Sequence, residues 1–193
     1  MRVRTILKRF AIAAASLLAL IVLAVVGIIA FDSLFPAQRV SDFTNVTFSG
    51  PDGISLQGYY TQPPGEGPFP AVLLVHEFFG INQDIIKKAD LLAEQGFAVL
   101  AADAYRGNTT RLISRAVWLV VSTPEQRISA DLQAAFRYLA ELPQVDPQRI
   151  GSVGFCFGGT QVMRLATQVS DLAATVIFYG SGPISDRDAL GVM

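Results

Sequence analysis

One hexapeptide constrains the fold of this 193-residue chain more than any other stretch: Gly154-Phe155-Cys156-Phe157-Gly158-Gly159. It follows a mostly apolar run at residues 150–155, which predicts a short buried strand, and it precedes a helical pattern from about residue 160. Side chains beside the centre of a sharp strand-to-helix turn would clash with the neighbouring chain, which explains the glycines. The spacing Gly-x-Cys-x-Gly is the nucleophile-elbow pattern with cysteine in place of serine. The hexapeptide therefore predicts a turn that lifts the Cys156 sulfur above a sheet.

The predicted elbow would place a helix N-terminus and a backbone N–H next to the Cys156 thiol. The positive N-terminal end of the following helix would lie beneath Cys156, where it favours a thiolate and an oxyanion. The N–H of Phe157 would point at an oxyanion as it develops. One alternative stays open at this point: a glycine-rich turn that holds a buried, inert cysteine, because free cysteine is among the most buried residue types.

A second motif, His76-Glu77-Phe78, ends the apolar run at residues 70–76, which predicts a strand covered on both faces. Ligands of open α/β sheets bind outside the carboxyl ends of the strands, so Glu77 is expected to meet Cys156 and to accept the thiol proton. The Phe78 N–H would be the second oxyanion donor. The alternative is a solvated Glu77 at a strand end. His76 neighbours Glu77 on a strand and starts toward the opposite face, so we expect it to satisfy loop backbone rather than to act as the base.

A third motif, Asp103-Ala104-Tyr105-Arg106-Gly107, ends the predicted strand at residues 97–102 at the same edge of the sheet. Arg106 would grip a substrate carboxylate with two hydrogen bonds, and Tyr105 would pack or donate a hydrogen bond. The alternative is a surface loop in which Arg106 forms a structural salt bridge with Asp103.

The remaining pattern alternates between strands and helices. The predicted strands are at residues 45–49, 54–61, 70–76, 97–102, 150–155 and 173–179, and the predicted helices are at residues 82–95, 111–121, 124–142 and 160–169. The helix at 124–142 begins with Pro124 after a capping-box pair, Thr123 and Gln126, and residues 145–147 predict a turn. The alternation predicts an α/β fold with a mostly parallel sheet and helices on both faces.

The N-terminal region predicts one transmembrane helix. Residues 10–31 contain no charged residue and are long enough to cross a hydrocarbon core of ~30 Å. Four basic residues and no acid precede them, so residues 1–9 are expected to stay cytoplasmic. We predict a signal anchor at 10–31 that contacts the lipid bilayer, a linker at 32–43 and an extracytoplasmic domain at 44–193. The alternative is a cleaved signal peptide, which would leave the domain secreted.

Composition excludes several classes of partner. Four of the 15 basic residues precede residue 10, so 11 face all 16 acidic residues and the remainder carries a net charge of −5. An acidic domain without a basic run lacks the electrostatic footprint for nucleic acid. The single cysteine excludes an internal disulfide and a cysteine-based metal cluster. The sequence contains no pattern of a His/carboxylate metal cluster and no phosphate- or dinucleotide-binding glycine motif.

Together these motifs resemble the dienelactone hydrolase family of α/β-hydrolases, with matching order and spacing from about residue 45 to residue 179. The matching stretches are residues 76–82, 89–97, 103–107, 154–159 and 179–180. The resemblance implies a Cys156 nucleophile, a Glu77 carboxylate that interacts with the thiol, and an oxyanion hole from the Phe78 and Phe157 backbone. It also implies that Arg106 contacts a substrate carboxylate. The implied reaction is hydrolysis of a small lactone or activated ester, without a metal or an organic cofactor.

The C-terminal end departs from the family pattern. The family completes its triad with an Asp and then a His on loops beyond later strands, but no histidine follows His76, and Asp186 and Asp188 come too soon after Tyr179. The run at 173–178 is apolar on both faces, as in an internal strand, and one edge would be bare. We therefore expect a C-terminally truncated chain whose last strands are missing and which is nearly inactive alone. The alternatives are a non-catalytic, membrane-anchored interaction domain and a hydrolase of peptides or thioesters.

Overall fold

The computed structural model describes residues 2–34 and 38–180, and the chain divides into two compact units, Met1–Ala37 and Gln38–Met193. The first unit contains one helix, α1 (Arg2–Leu34). Within the described part of the second unit the strands are β1 (Val46–Ser49), β2 (Ser55–Thr61), β3 (Phe69–Val75), β4 (Ala98–Ala102), β5 (Val145–Phe155) and β6 (Ala174–Phe178). Its α-helices are α2 (Gln83–Glu94), α3 (Ile113–Ser122), α4 (Glu125–Ala140) and α5 (Phe157–Ala166). Asp186 and Asp188 lie outside the described residues.

The six strands form one mixed sheet in the order β1-β2-β4-β3-β5-β6. The predicted hairpin is confirmed: β1 and β2 pair antiparallel, and β2 also pairs antiparallel with β4. The remaining pairs, β4 with β3, β3 with β5 and β5 with β6, are parallel. Because parallel strands end at the same edge, the sheet brings the ends of β3, β4, β5 and β6 together, which is where the three sequence motifs lie.

The apolar runs of the sequence supply two cores, one on each face of the sheet. Successive side chains of a strand point to opposite faces. On β3, Leu73 and Val75 therefore join the larger core, which α4 and α5 cover, while Val72 and Leu74 join the smaller core with Ile85 of α2. This double burial explains why β3 is continuously apolar rather than alternating, and it confirms helices on both faces.

A side-chain cap starts α2 but not α4. The Asn82 side chain accepts hydrogen bonds from the backbone N–H groups of Asp84 (3.0 Å) and Ile85 (3.2 Å), so it starts α2 as an N-cap residue. The predicted capping box before α4 is wrong. Pro124 has an extended backbone (φ −62°, ψ 133°) and is the N-cap rather than the first helical residue, and no side-chain cap forms there.

The predicted turn at residues 145–147 is also wrong, because these residues belong to β5. Val145 pairs with Phe69 and Ile150 pairs with Ala71, so four residues of β5 oppose one residue of β3 in an irregular bulge. The turn residues thus bend the strand without ending it. Within the described residues, β6 lies at the edge of the sheet and most of its side chains are exposed.

Helix α1 contains the segment Lys8–Ile28, whose length and mean hydropathy of 2.8 suffice to cross a membrane. Its described side chains are exposed, so this is not the buried core helix of a globular domain. An N-terminal signal sequence satisfies the same criterion of length and composition. The predicted boundaries of the cytoplasmic end, anchor, linker and domain stay predictions.

Candidate active site

The elbow has the strained backbone that its sequence predicts. Cys156 lies between the last residue of β5 and the first residue of α5, with φ 54° and ψ −114°. A positive φ is costly for a residue that has a Cβ, so the surrounding packing has to hold the turn. The Cys156 N–H donates a hydrogen bond of 2.9 Å to the Phe178 carbonyl at the end of β6. The half-buried thiol is consequently fixed at the shared edge of the sheet.

Three glycines allow the close approach that the turn requires. A Cβ on Gly158 would collide with the carbonyl oxygens of Val75 and His76, at the end of β3. A Cβ on Gly154 would collide with the Gly158 carbonyl. Gly159 packs against the backbone of Gly180 in the same way. Helix α5 therefore starts at Phe157, three residues earlier than the helical pattern predicts, because the glycine pair lets the helix begin directly against the strand ends.

The thiol lies on the wall of a cavity of about 420 Å³. Phe78 and Phe157 line the same cavity. Phe157 is the first residue of α5, and the first N–H groups of a helix have no acceptor within the helix. The structure thus brings together three of the predicted site residues. Their predicted roles as nucleophile and oxyanion donors stay predictions.

The Glu77 carboxylate has a partner that the sequence did not predict. The Tyr179 hydroxyl donates a hydrogen bond of 2.9 Å to Oε1 of Glu77. This hydrogen bond raises the pKa of Tyr179, and the nearby charges of Glu77 and Cys156 add to the effect. Tyr179 also lines the cavity. Its hydroxyl therefore lies within electrostatic range of both groups that were predicted to share the thiol proton.

His76 is buried and holds two loops together. Its Nδ1 lies 2.6 Å from the Glu77 carbonyl oxygen, and its Nε2 accepts a hydrogen bond of 3.1 Å from the Ala104 N–H. The second bond requires a neutral ring with the proton on Nδ1. Burial lowers the pKa of His76, which keeps the ring neutral although Asp103 lies near it. The prediction that His76 satisfies loop backbone rather than acting as the base agrees with these bonds.

In the loop after β4, Arg106 pairs with a residue that neither interpretation of the sequence named. Asp103 accepts hydrogen bonds from the N–H groups of Tyr105 (2.9 Å) and Gly107. Burial raises the pKa of Asp103, and these two backbone donors oppose the shift. Arg106 instead makes a two-pronged ion pair with Asp131 of α4: Nε to Oδ2 and Nη2 to Oδ1, each 2.7 Å. Its predicted contact with a substrate carboxylate stays a prediction.

Tyr105 packs beneath the site, as one of its two predicted roles requires. Its ring centroid lies 4.9 Å from that of His76 and 5.1 Å from that of Phe157. Burial raises the pKa of Tyr105, and the charges of Cys156 and Asp103 add to the effect. Among the described residues its hydroxyl has no hydrogen-bond partner. The alternative role as a donor to substrate therefore stays a prediction.

Sequence reasoning missed four ionisable residues: Tyr179, Arg164 and Glu125, which line the cavity, and Asp131, which binds Arg106. Tyr179 could have been found from its position at the carboxyl end of a predicted strand. Asp131 and Arg164 gave no signal, because polar residues on an amphipathic helix usually face water. Arg164 pairs with Glu125 at 2.5 Å, and both line the cavity. Within residues 2–34 and 38–180 no group of three potential ligands is placed to hold a metal ion.

The mixed sheet and the strand–elbow–helix with its thiol at the carboxyl edge define an α/β-hydrolase fold. The model of the "Dienelactone hydrolase family" matches residues 56–190, more than half of the chain. The chain therefore belongs to the dienelactone hydrolase family. The resemblance inferred from the motifs is confirmed.

Individual relatives agree with this assignment. A Synechocystis protein named "Putative carboxymethylenebutenolidase" is 31% identical over 137 residues, which are 67% of this chain and 55% of that protein. A Bradyrhizobium protein named "Probable 2-oxo-3-(5-oxofuran-2-ylidene)propanoate lactonase" is 34% identical over 134 residues, 68% of this chain and 54% of that protein. A crystal structure of the "Dienelactone Hydrolase-like Promiscuous Phospotriesterase P91", from metagenomic libraries, superposes with a TM-score of 0.62 and 29% identity, covering 76% of this chain and 63% of that one. The chain thus spans between half and two thirds of these relatives.

Proposed function

We propose that this chain carries the nucleophile and oxyanion-binding part of a cysteine hydrolase that cleaves a small lactone or carboxylic ester. One observation carries the proposal: the Cys156 thiol stands on a strained elbow (φ 54°) in the wall of a cavity that Phe78 and Phe157 also line. Strain of this kind persists where the surrounding structure imposes it, and it is concentrated at functional sites. Family membership supports the same chemistry.

The proposed acylation step uses four groups. The Cys156 sulfur attacks the ester carbonyl carbon, and the carbonyl electron pair moves onto the oxygen, which accepts hydrogen bonds from the Phe78 and Phe157 N–H groups. Glu77 accepts the thiol proton. Collapse of the intermediate breaks the bond to the alkoxide, which takes the proton back from Glu77, and the acyl group stays on Cys156 as a thioester. For a lactone, the released alkoxide remains attached to the acyl chain.

The second half of the reaction needs a base that activates water against this thioester. His76 is the one histidine of the 193 residues, and both of its ring nitrogens are engaged with backbone. Loss of triad members costs several orders of magnitude in rate in comparable enzymes. We therefore propose that these 193 residues acylate readily and release the acyl group slowly. Esters and lactones are the proposed substrates; peptides and thioesters are the alternative.

We also propose that residues 10–31 anchor the domain in a membrane with residues 1–9 in the cytoplasm. The uncharged segment and the basic residues before it support this proposal. The mass of the protein recovered from a membrane fraction tests it. A full-length mass supports an anchor, whereas loss of the N-terminal segment would mean a cleaved signal peptide.

The decisive experiment follows ester cleavage and cysteine modification together. Full-length protein in mild detergent is mixed with p-nitrophenyl acetate, and the released nitrophenolate is compared with the mass of the protein. We expect one equivalent of nitrophenolate, one acetyl group on Cys156 and little turnover. Cys156→Ala should abolish both signals, and no other thiol exists to complicate the result.

Two other outcomes would change the proposal. Sustained turnover that Cys156→Ala abolishes would mean that a group within these residues serves as the deacylating base. An unmodified Cys156 that reacts only after unfolding would contradict the hydrolase assignment for this chain and favour the non-catalytic interaction domain.

A further inference from the structure

The outward face of α3 is apolar although it faces solvent. The helix packs Ala116 and Leu119 against the domain. Its other side forms what we call the α3 patch, with exposed fractions of 67% for Ile113, 50% for Val117, 68% for Trp118, 37% for Val120 and 75% for Val121. A helix on the surface of a water-soluble domain carries polar residues on that side. The α3 patch is therefore unusual and calls for a binding partner.

Helix α2 of the same domain shows the ordinary pattern. Its apolar face is buried, while Asp84 and Lys87 on the outer side form an ion pair with side-chain exposures of 76% and 67%. Helix α2 thus exposes one large apolar side chain, Leu91 (59%), against five on α3, while the edge strand β6 also exposes Val176, Ile177 and Phe178.

The charges around the patch select the kind of partner. Residues 107–124 contain two arginines, Arg111 and Arg115, and no acidic residue, in a domain that is acidic overall. Aliphatic residues with one tryptophan on one face and arginines beside them are typical of helices that lie in the interface of a lipid bilayer. Anionic headgroups would complement the arginines, and tryptophan is enriched at the headgroup level.

A second apolar element, in helix α1, precedes this domain in the sequence. The segment Lys8–Ile28 is long and apolar enough to enter a bilayer. At most about 35 Å of extended chain separates Ile28 from Gln38, where the second unit begins. A bilayer that holds this segment would therefore keep the domain within reach of its surface and raise the effective concentration of the α3 patch there.

We propose that the α3 patch docks onto the surface of an anionic lipid bilayer, with Trp118 and Val121 between the headgroups and the acyl chains. This inference goes beyond the proposed hydrolysis and does not depend on it, but it rests on the proposed anchor at residues 10–31, which retention of the protein in the nanodisc tests separately. Val120 belongs both to the patch and to the wall of the cavity that holds Cys156. Docking would consequently bring the cavity close to molecules dissolved in the bilayer.

Trp118 is the one tryptophan of the chain, so intrinsic fluorescence reports directly on the patch. The full-length protein is reconstituted into nanodiscs of phosphatidylcholine and phosphatidylglycerol, with and without brominated acyl chains. We expect brominated lipid to quench Trp118 about twofold or more, and iodide to quench it less than in detergent. Nanodiscs of phosphatidylcholine alone should give weaker quenching by brominated lipid.

A double variant, Val117→Ser with Val121→Ser, changes the outer side of α3 and leaves Ala116 and Leu119 in place. We expect it to remain in the nanodisc through residues 10–31 but to lose the quenching by brominated lipid. Unchanged labelling of Cys156 by iodoacetamide checks that the domain is folded. The readout needs no catalysis, so failure of the hydrolase proposal would not affect it.

Three results would overturn the proposal. The first is that, in anionic nanodiscs, brominated lipid leaves Trp118 unquenched while iodide quenches it fully. The second is equal quenching in neutral and anionic nanodiscs, which would exclude selection by charge. The third is protection of Trp118 from iodide in detergent that rises with protein concentration, which would assign the patch to contact with a second copy of the chain.

Discussion

The Tyr179 hydroxyl donates a hydrogen bond of 2.9 Å to the Glu77 carboxylate, across 102 positions of the sequence. Tyr179 follows β6 directly, and Glu77 lies two residues after the end of β3. The elbow on β5, the strand between them in the sheet, stands between these two residues. The Glu77 carboxylate, which is proposed to take the thiol proton, therefore accepts a hydrogen bond from a side chain on the other side of the Cys156 elbow.

This hydrogen bond predicts opposite effects for two substitutions. Glu77→Gln removes the proton acceptor and should slow alkylation of Cys156 by iodoacetamide at pH 7 about tenfold or more. Tyr179→Phe releases the carboxylate and should speed alkylation by roughly threefold. Rates of mass change at Cys156 in the intact protein measure both effects.

The double variant supplies the control. In the Glu77→Gln background, Tyr179→Phe should have no effect, because the phenol then has no carboxylate to hold. An equal acceleration in both backgrounds would show that Tyr179 acts on the thiol by another route. No change with Glu77→Gln alone would remove Glu77 from the thiol chemistry.

The ion pair between Arg106 and Asp131 predicts a loss of stability when it is broken. The Asp131 side chain is 2% exposed and that of Arg106 is 26% exposed, so removing the negative charge of Asp131 breaks a mostly buried ion pair. Asp131→Asn should lower the free energy of unfolding by about 2 kcal/mol. Urea unfolding in detergent, followed by circular dichroism, measures the change.

The surface pair of α2 offers a matched comparison. Lys87→Gln breaks the solvent-exposed pair with Asp84 and should change the free energy of unfolding by no more than about 0.5 kcal/mol. Arg106→Lys keeps the charge but not the two-pronged geometry and should fall between these values. Equal effects of Asp131→Asn and Lys87→Gln would contradict a structural role for the buried pair.

The buried His76 predicts a dependence of stability on pH. Because burial lowers the pKa of His76, the unfolded chain takes up a proton below its ordinary pKa of 6.5 while the folded protein does not. Protonation of the unfolded state lowers the free energy of unfolding as pH falls, by at most ~1.4 kcal/mol per pH unit for one proton. Unfolding of the wild type between pH 7.5 and pH 5.5 should show this slope, and His76→Gln should flatten it. A slope that survives in the variant would have to come from other groups.

The close approach at Gly158 predicts that even one methyl group disrupts the elbow. A Cβ there would meet two carbonyl oxygens at the end of β3, and backbone atoms cannot turn aside as side chains can. Gly158→Ala should cost about 3 kcal/mol or more in stability. The control is Gly96→Ala: Gly96 has φ 98° but open space around its Cβ position, so the cost should be about 1 kcal/mol. Similar losses for both variants would show that backbone conformation and not contact sets the constraint at Gly158.

Local patterns predicted most of the fold, because periodicity and turn chemistry act over a few residues. The apolar run at β3 predicted a strand buried on both faces, and the helical pattern at residues 82–95 predicted α2 (Gln83–Glu94) to within one residue at each end. The same local reasoning failed at residues 145–147, where Asp146 and Pro147 have turn chemistry but the parallel pairing with β3 continues around them. Tertiary pairing overrode the local preference at that point.

The sequence predicted which site residues lie at the same edge of the sheet, but not the hydrogen-bond partners of these residues. Parallel strands place their carboxyl ends together, so Glu77 and Cys156 could be assigned to one region from their positions alone. The partners of these residues depend on side chains far apart in sequence. No pattern along α4 distinguishes Asp131, which binds Arg106, from a solvated acid. The end of its predicted strand places Tyr179 at the same edge, but it does not show that the hydroxyl binds Glu77.

Because His76 connects two loops, the backbone amide of Ala104 can report on the loop after β3. Its ring links the Glu77 carbonyl, in the loop after β3, to the Ala104 N–H, in the loop after β4. An acyl group that moves the Glu77 backbone carbonyl would also move the imidazole and, through it, that hydrogen bond. The ¹⁵N–¹H resonance of Ala104 would therefore register occupancy of the cavity without any label near the thiol.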